Sequence, residues 1–356
     1  MNMEHVIVDE LLGELNLSEM DSWLNDAGVG MSFYELVKKI IGQGWGLESV
    51  TDLIYWIRDF LFSEIETNKM LFLEVILITF CFSLLKNTAG DFGSSYISEV
   101  CFLLVYSVLA LMLLRSMYVF QEIVAETIEK SVSFMRVFVP CFCTGMFLSS
   151  NVYASGGFYQ IAFAVIYFVE WAFENLLLPC VHVYVLLQIF NYFFEEMQFG
   201  NFAELLQTIV NWSLKLAGGA VFGLSVVQNL MNPVKDRIAQ GTVSKVMSII
   251  PGAGGVANGV GEIMLGAGMV IKNGIGIAGM AVLLCIGIIP IIKTGFLALL
   301  YKLMAALTEP LSDRRISGCI RQLSIAAILY MKIQGYCILL FFITIALTSM
   351  ATSFVY

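Results

Sequence analysis

Ala278-Gly-Met-Ala-Val-Leu-Leu-Cys-Ile-Gly-Ile-Ile-Pro290-Ile-Ile-Lys293-Thr-Gly-Phe-Leu-Ala-Leu-Leu-Tyr301-Lys302-Leu-Met-Ala-Ala-Leu307 holds two charged side chains, Lys293 and Lys302, in thirty residues. About 20 apolar residues of helix cross the roughly 30 Å hydrocarbon core of a bilayer. The stretch is too long for one crossing, and Pro290 to Lys293 divides it into two apolar segments. Such a helix is apolar on every face, so it must be buried whole or sit in lipid. Lysines at its breaks fit span ends, with apolar stems along the helix and ammonium groups at the interface.

The rest of the chain agrees. Hydrophobic residues make up 59% of 356, charged residues 13%, and mean hydropathy is +0.84. Ordinary soluble domains carry about 25% charged residues. The composition therefore predicts an all-α polytopic transmembrane bundle with a small acidic N-terminal helical segment. Met70–Leu85 and Ile97–Leu114 read as spans. Residues 118–136 place Glu122, Glu126 and Glu129 opposite Ile123, Val124, Ile128 and Val132, which predicts an amphipathic helix on a surface or beside something wet. Phe138–Leu148, with Pro140, reads as part of a hairpin, and Phe158–Phe194 divides near Asn175–Pro179. Phe202–Leu216 is amphipathic and Leu216–Leu230 apolar; Thr308–Gln322 is polar, and a last apolar region runs from Leu323 or Gly335. Six to eight crossings are expected. Arg314, Arg315 and Arg321 form the richest short basic loop, which the positive-inside rule places in the cytoplasm.

Charge divides the chain. Residues 1–69 hold 13 acidic and 4 basic side chains, a balance of −9, and residues 70–356 hold 15 of each. The expected organisation is an extramembrane acidic segment over 1–69 and a membrane domain over 70–356, with a glycine-rich broken or re-entrant element over about 247–279. The acidic head disfavours nucleic acid and anionic lipid as partners for that segment. Its helical stretches, around 4–26, 32–41 and 48–66, have amphipathic spacing suited to packing on the membrane or a partner. The N-terminus shows no basic region followed by an apolar one, so no signal peptide is expected.

Catalytic motifs find no support. His5 and His182 stand apart from any carboxylate pair or cysteine cluster, and no zinc-protease, phosphate-loop or nucleophile-elbow motif occurs. The eight cysteines lie mostly in apolar runs, and the Cys141/Cys143 spacing is not a redox or metal spacing. Gly274-Ile-Gly276-Ile-Ala-Gly279 matches a dinucleotide fingerprint but sits in an apolar run with no acidic residue until Glu309. No enzyme activity, metal or cofactor is expected. Helix packing through small residues is the better reading of Gly219/Gly223, Gly255/Gly259, Gly261 (with Ala257), Gly274, Gly276 and Gly279. Pro251 and Pro290 read as hinges. Charges inside apolar runs are the sharper signal, because each costs at least about 2.5–3.5 kcal/mol in lipid. Glu170, Glu174, Glu262, Lys272 and Lys293 are thus candidates for a polar path, with Glu170 and Glu262 facing a hydrated interior.

Three C-terminal segments carry a family resemblance. They are Met264 to Gly279, with Lys272-Asn273 ahead of the glycines; Cys285-Ile-Gly-Ile-Ile-Pro290-Ile-Ile-Lys293; and Ala298-Leu-Leu-Tyr301 through Glu309-Pro310-Leu. In this order they resemble the stage III sporulation protein AE family, and the resemblance extends from the acidic head to the C-terminus, more weakly before residue 200. The resemblance implies a membrane subunit of the transport or secretion-like channel complex joining mother cell and forespore in endospore-forming bacteria. It implies a role in maintaining the forespore and its late gene expression, and a place in the mother-cell membrane around the forespore. Family members usually begin with a signal peptide. Expected partners are other membrane proteins of that complex and the lipid bilayer, with further copies of this chain as an option. The alternative is a stand-alone secondary transporter, for which broken helices and midplane charges would supply a site.

Overall fold

The computed structural model describes residues 17–26, 32–43, 70, 73–81, 95–149, 152–194, 199–247, 254–310 and 313–351. The described residues contain no strand. The main helices are α1 (Ser18–Asp26), α2 (Phe33–Gln43), α3 (Ser95–Leu148), α4 (Val152–Val169), α5 (Leu178–Phe193), α6 (Gly200–Met247), α7 (Gly254–Thr308) and α8 (Arg314–Ala351). A π-helical segment, Glu170–Leu177, joins α4 to α5.

Among the described residues, five helical stretches are long and apolar enough to cross a membrane: Glu99–Leu148, Ser155–Phe193, Gly200–Val227, Gly266–Thr308 and Arg314–Met350. At 1.5 Å per residue, the first runs about 75 Å, far more than one hydrocarbon core needs. Large apolar side chains such as Leu104, Leu111, Trp212 and Leu216 lie exposed on their outer faces. A bilayer is the solvent that suits such faces. The chain is a multi-pass membrane protein.

The helices are more continuous than the sequence suggests. Residues 118–136 are part of α3, which also runs through Pro140. Their amphipathicity is real: Val124, Ile128 and Val132 are buried, and Glu122, Glu126 and Glu129 are exposed. The break expected near Asn175–Pro179 is the π-helical segment. Pro179 has no N–H to give to a carbonyl four residues back. The Leu178 N–H bonds the Phe173 carbonyl five residues back, so the chain widens by one residue without opening. α6 ends at Met247 and α7 is helical from Gly254; Pro251 lies outside the described residues.

The central helix is α8, which packs on α3, α4, α5, α6 and α7. Its closest neighbour is α7. The Thr294 hydroxyl lies 3.1 Å from Gln334 Oε1, and a Cβ at Gly287 would stand 2.6 Å from Ile338. The two helices therefore run antiparallel. On its other side α7 meets α3. Phe134, Phe138 and Phe142 stack at four-residue spacing, with centroids 5.4 and 5.5 Å apart. Phe138 and Phe142 fill the space that Gly279 and Gly276 leave open.

The described part of the acidic head packs on this bundle. Trp23 Nε1 donates to Ser133 Oγ at 3.1 Å and its ring meets Phe134. Ser32 caps α2 by accepting the Glu35 N–H at 3.1 Å. The same helix seats Val37 and Ile41 against Gly274 of α7.

Candidate functional site, a buried polar junction beside Pro290

Three helices meet at a polar junction in an apolar core. Gln334 of α8 is fully buried, as are Thr294 of α7 and, within 2%, Thr127 of α3. Gln334 Nε2 donates to Thr127 Oγ1 at 3.0 Å, and Gln334 Oε1 accepts from Thr294 Oγ1 at 3.1 Å. Both threonines also reach carbonyls of their own helices, Thr127 that of Ile123 at 2.7 Å and Thr294 that of Pro290 at 2.9 Å. Pro290 has no N–H for the helix ladder. The hydroxyl one turn on is thus poised between Pro290's carbonyl and a neighbouring helix.

A cavity of about 620 Å³ adjoins the junction. Thr127, Pro290 and Lys293 form one wall; Trp23, Leu24 and Leu36 of the N-terminal helices form another. The Glu126–Lys130 pair, 2.7 Å apart, stands at its edge. Its size is that of sites for small molecules, and its lining is mainly apolar with a few polar groups.

The described candidate polar-path residues lie on separate parts of the bundle. Glu170 and Glu174 lie in the π-helical segment, which packs on α3, α4, α5 and α8. Glu170 pairs with Arg136 of α3 at 2.5 Å, with both side chains about half exposed. Lys272 and Lys293 are on α7. Lys272 is fully buried where α7 crosses α3 near Gly145, and Lys293 borders the cavity. Glu262 is on the α7 backbone with its side chain outside the described residues; the surroundings of Gly255, Gly259 and Gly261 lie outside them too.

Gly274, Gly276 and Gly279 each face another helix. An added Cβ would meet Ile41 at 2.8 Å at Gly274, Ser349 and Phe142 at Gly276, and the Phe138 ring at Gly279. At Gly219 and Gly223 it would meet nothing within 4 Å.

Gln334 was not singled out in the sequence. An amide in the run Met331-Lys-Ile-Gln-Gly-Tyr-Cys-Ile is the signal that would have found it, since a polar group there needs a partner.

Because both threonines keep bonds to their own helices, losing the amide leaves little unsatisfied. Gln334→Leu is expected to lower stability by about 1 kcal/mol, and Gln334→Ala by about 3 kcal/mol through the added void. Melting of the purified protein in detergent checks this. Equal losses for the two variants would mean that the junction, and not its packing, carries the whole effect.

Chemically, the junction holds helices in register and offers no nucleophile with a base. Among the described residues no group of three His, Cys, Asp or Glu side chains could hold a metal ion. No solved structure matches the chain. Stage III sporulation protein AE of Bacillus subtilis (strain 168) is 26% identical over 294 residues, which cover 82% of this chain and 74% of that protein. The family model for stage III sporulation protein AE matches residues 31–352. With nine-tenths of its length inside that match, this multi-pass membrane protein belongs to the stage III sporulation protein AE family.

Proposed function

We propose that the chain is a non-catalytic subunit of a transport assembly in the mother-cell membrane around the forespore, and that it keeps the forespore supplied and competent for late transcription. The observation that carries this reading is the family match over residues 31–352 on a bundle of membrane-length helices. Its partners in this reading are other membrane proteins of the assembly, further copies of itself, and lipid. The half-exposed Arg136, Glu170 and Glu174 stand on the outer face of this bundle. A polar path there would be completed by neighbouring subunits.

The cavity beside Pro290 favours one second reading, a stand-alone transporter with its substrate site at a helix irregularity. Clean deletion of the gene in its native host separates the two. Engulfed forespores that collapse, stay silent for a late forespore reporter, and recover on complementation are expected. Normal spore yield would sink the proposal, and uptake assays would then test the transporter reading.

A further inference from the structure

A second cavity, of about 890 Å³, lies where α7 ends and α8 begins. Lys302, Arg314 and Arg321 line it, and Glu309 is the carboxylate among its lining residues. Three cations against one carboxylate leave a surplus of two positive charges, in a chain whose net charge is −9.

The surplus comes from the fold. The antiparallel register set by Thr294 and Gln334 brings Lys302 opposite residue 326 of α8, about one and a half turns from Arg321, and both side chains line the same cavity. Lys302 is six residues before the end of α7, and Arg321 is seven after the start of α8. Each is therefore about 10 Å in from the helix end, at 1.5 Å per residue. Gly318 lets the Tyr192 ring close one side, since an added Cβ would come within 2.5 Å of it. Ser317 and Ser324 add hydroxyls.

Arg315, next in sequence to Arg314, shows what a satisfied cation looks like here. Its guanidinium forks onto both oxygens of Glu99 at 3.1 Å and lies 3.5 Å from the Phe102 ring centroid. Lys302, Arg314 and Arg321 have no such partner among the described residues. Their side chains are exposed at the cavity and held by no carboxylate fork, so an anion that enters can be gripped without breaking an existing pair.

We infer that this cavity binds the phosphate headgroup of an anionic glycerophospholipid. The walls are ends of membrane-length helices, so the anion most concentrated at its mouth is lipid phosphate. Arginine forks suit phosphate oxygens, and a headgroup with two phosphodiesters matches the surplus of two charges. This site is separate from the junction beside Pro290 and does not depend on the assembly proposed above.

The test uses the purified full chain in neutral detergent, titrated with diphosphatidylglycerol, phosphatidylcholine or inorganic phosphate, with retained lipid read by native mass spectrometry. Diphosphatidylglycerol is expected to bind and phosphatidylcholine not to. Arg314→Gln, Arg321→Gln and Lys302→Gln should each weaken binding about five-fold, and Glu309→Gln should tighten it by a similar factor. Lys332→Gln, whose lysine bonds Asn211 outside the cavity, should leave it unchanged. Glu309→Gln removes no cation, so it keeps the test decisive if the arginine variants fail to fold. Binding that ignores all four cavity substitutions, or that phosphatidylcholine matches, overturns the inference. So does displacement of the lipid by equimolar inorganic phosphate, which would make free phosphate the ligand.

Discussion

Gly279→Val is expected to give the largest loss of stability, about 4 kcal/mol. A Cβ at Gly279 lands on three atoms of the Phe138 ring, closer than real carbon atoms approach. The ring is fully buried and cannot swing aside, because Phe134 and Phe142 stack on its two sides and Phe142 in turn meets Phe158 at 5.1 Å. Relief requires α3 and α7 to separate along their shared face, which also loosens the contact of Gly276 with Phe142. Overpacking costs about 1–3 kcal/mol for added methylenes in a core that can adjust. Valine adds three heavy atoms against a stacked aromatic row, so about 4 kcal/mol is the expected loss from a total of roughly 5–15. Gly279→Ala should lie between, since alanine gains about 1 kcal/mol of helix propensity over glycine. Gly223→Ala, where an added Cβ meets nothing within 4 Å, should be neutral or slightly stabilising. Melting temperature in detergent reads all three, and Phe138→Leu should recover part of the loss in Gly279→Ala. A Gly279→Val protein that melts with the parent would show that α3 and α7 do not pack as described.

What the sequence made legible here is the class of fold. The apolar runs led directly to membrane-length helices, because nothing else buries such side chains. The spacing of small residues does not tell which of them meet a neighbour: Gly274, Gly276 and Gly279 each face a side chain from another helix, and Gly219 and Gly223 face open space. The charge pattern of residues 118–136 marks the face on which Glu122, Glu126 and Glu129 lie exposed, but it does not reveal that the helix is continuous. Pro140, Asn175–Pro179 and Pro290 look like breaks in a one-dimensional pattern. In three dimensions α3 and α7 run through their prolines, the segment before Pro179 passes to a five-residue bond at Leu178, and Thr294 reaches back to Pro290. A broken backbone in lipid costs more than these local adjustments, so helices persist where propensity alone would end them. The junction was illegible for another reason. Thr127, Thr294 and Gln334 are far apart in the chain, and each alone is an unremarkable polar residue in an apolar run. Only the antiparallel register of α7 and α8 brings them together. The basic cavity is similar: the arginines were visible as a loop, but Lys302 joins them only through that same register.

Arg315→Ala is expected to lower stability by about 2 kcal/mol. The pair it makes with Glu99 ties the second turn of α3 to the first turn of α8 across 216 residues of sequence. Two charge-assisted bonds and a guanidinium over an aromatic face would be worth about 3 kcal/mol if fully desolvated. Arg315 is 18% exposed but Glu99 is 40% exposed, so solvent screening lowers that figure. Part of the remainder comes from packing: Phe102 also stacks on Tyr106, whose hydroxyl donates to the Ile189 carbonyl at 2.7 Å. The geometry makes a sharper demand than the total. Lysine keeps the charge but has neither the fork nor the planar face, so Arg315→Lys should lose more than half of what Arg315→Ala loses. In a Glu99→Gln background, Arg315→Ala should cost about 1 kcal/mol less than in the parent, a coupling that thermal melts can resolve. Additive losses would show that the arginine works through Phe102 alone. An Arg315→Lys protein as stable as the parent would remove the fork altogether, leaving a point charge at the mouth of α8.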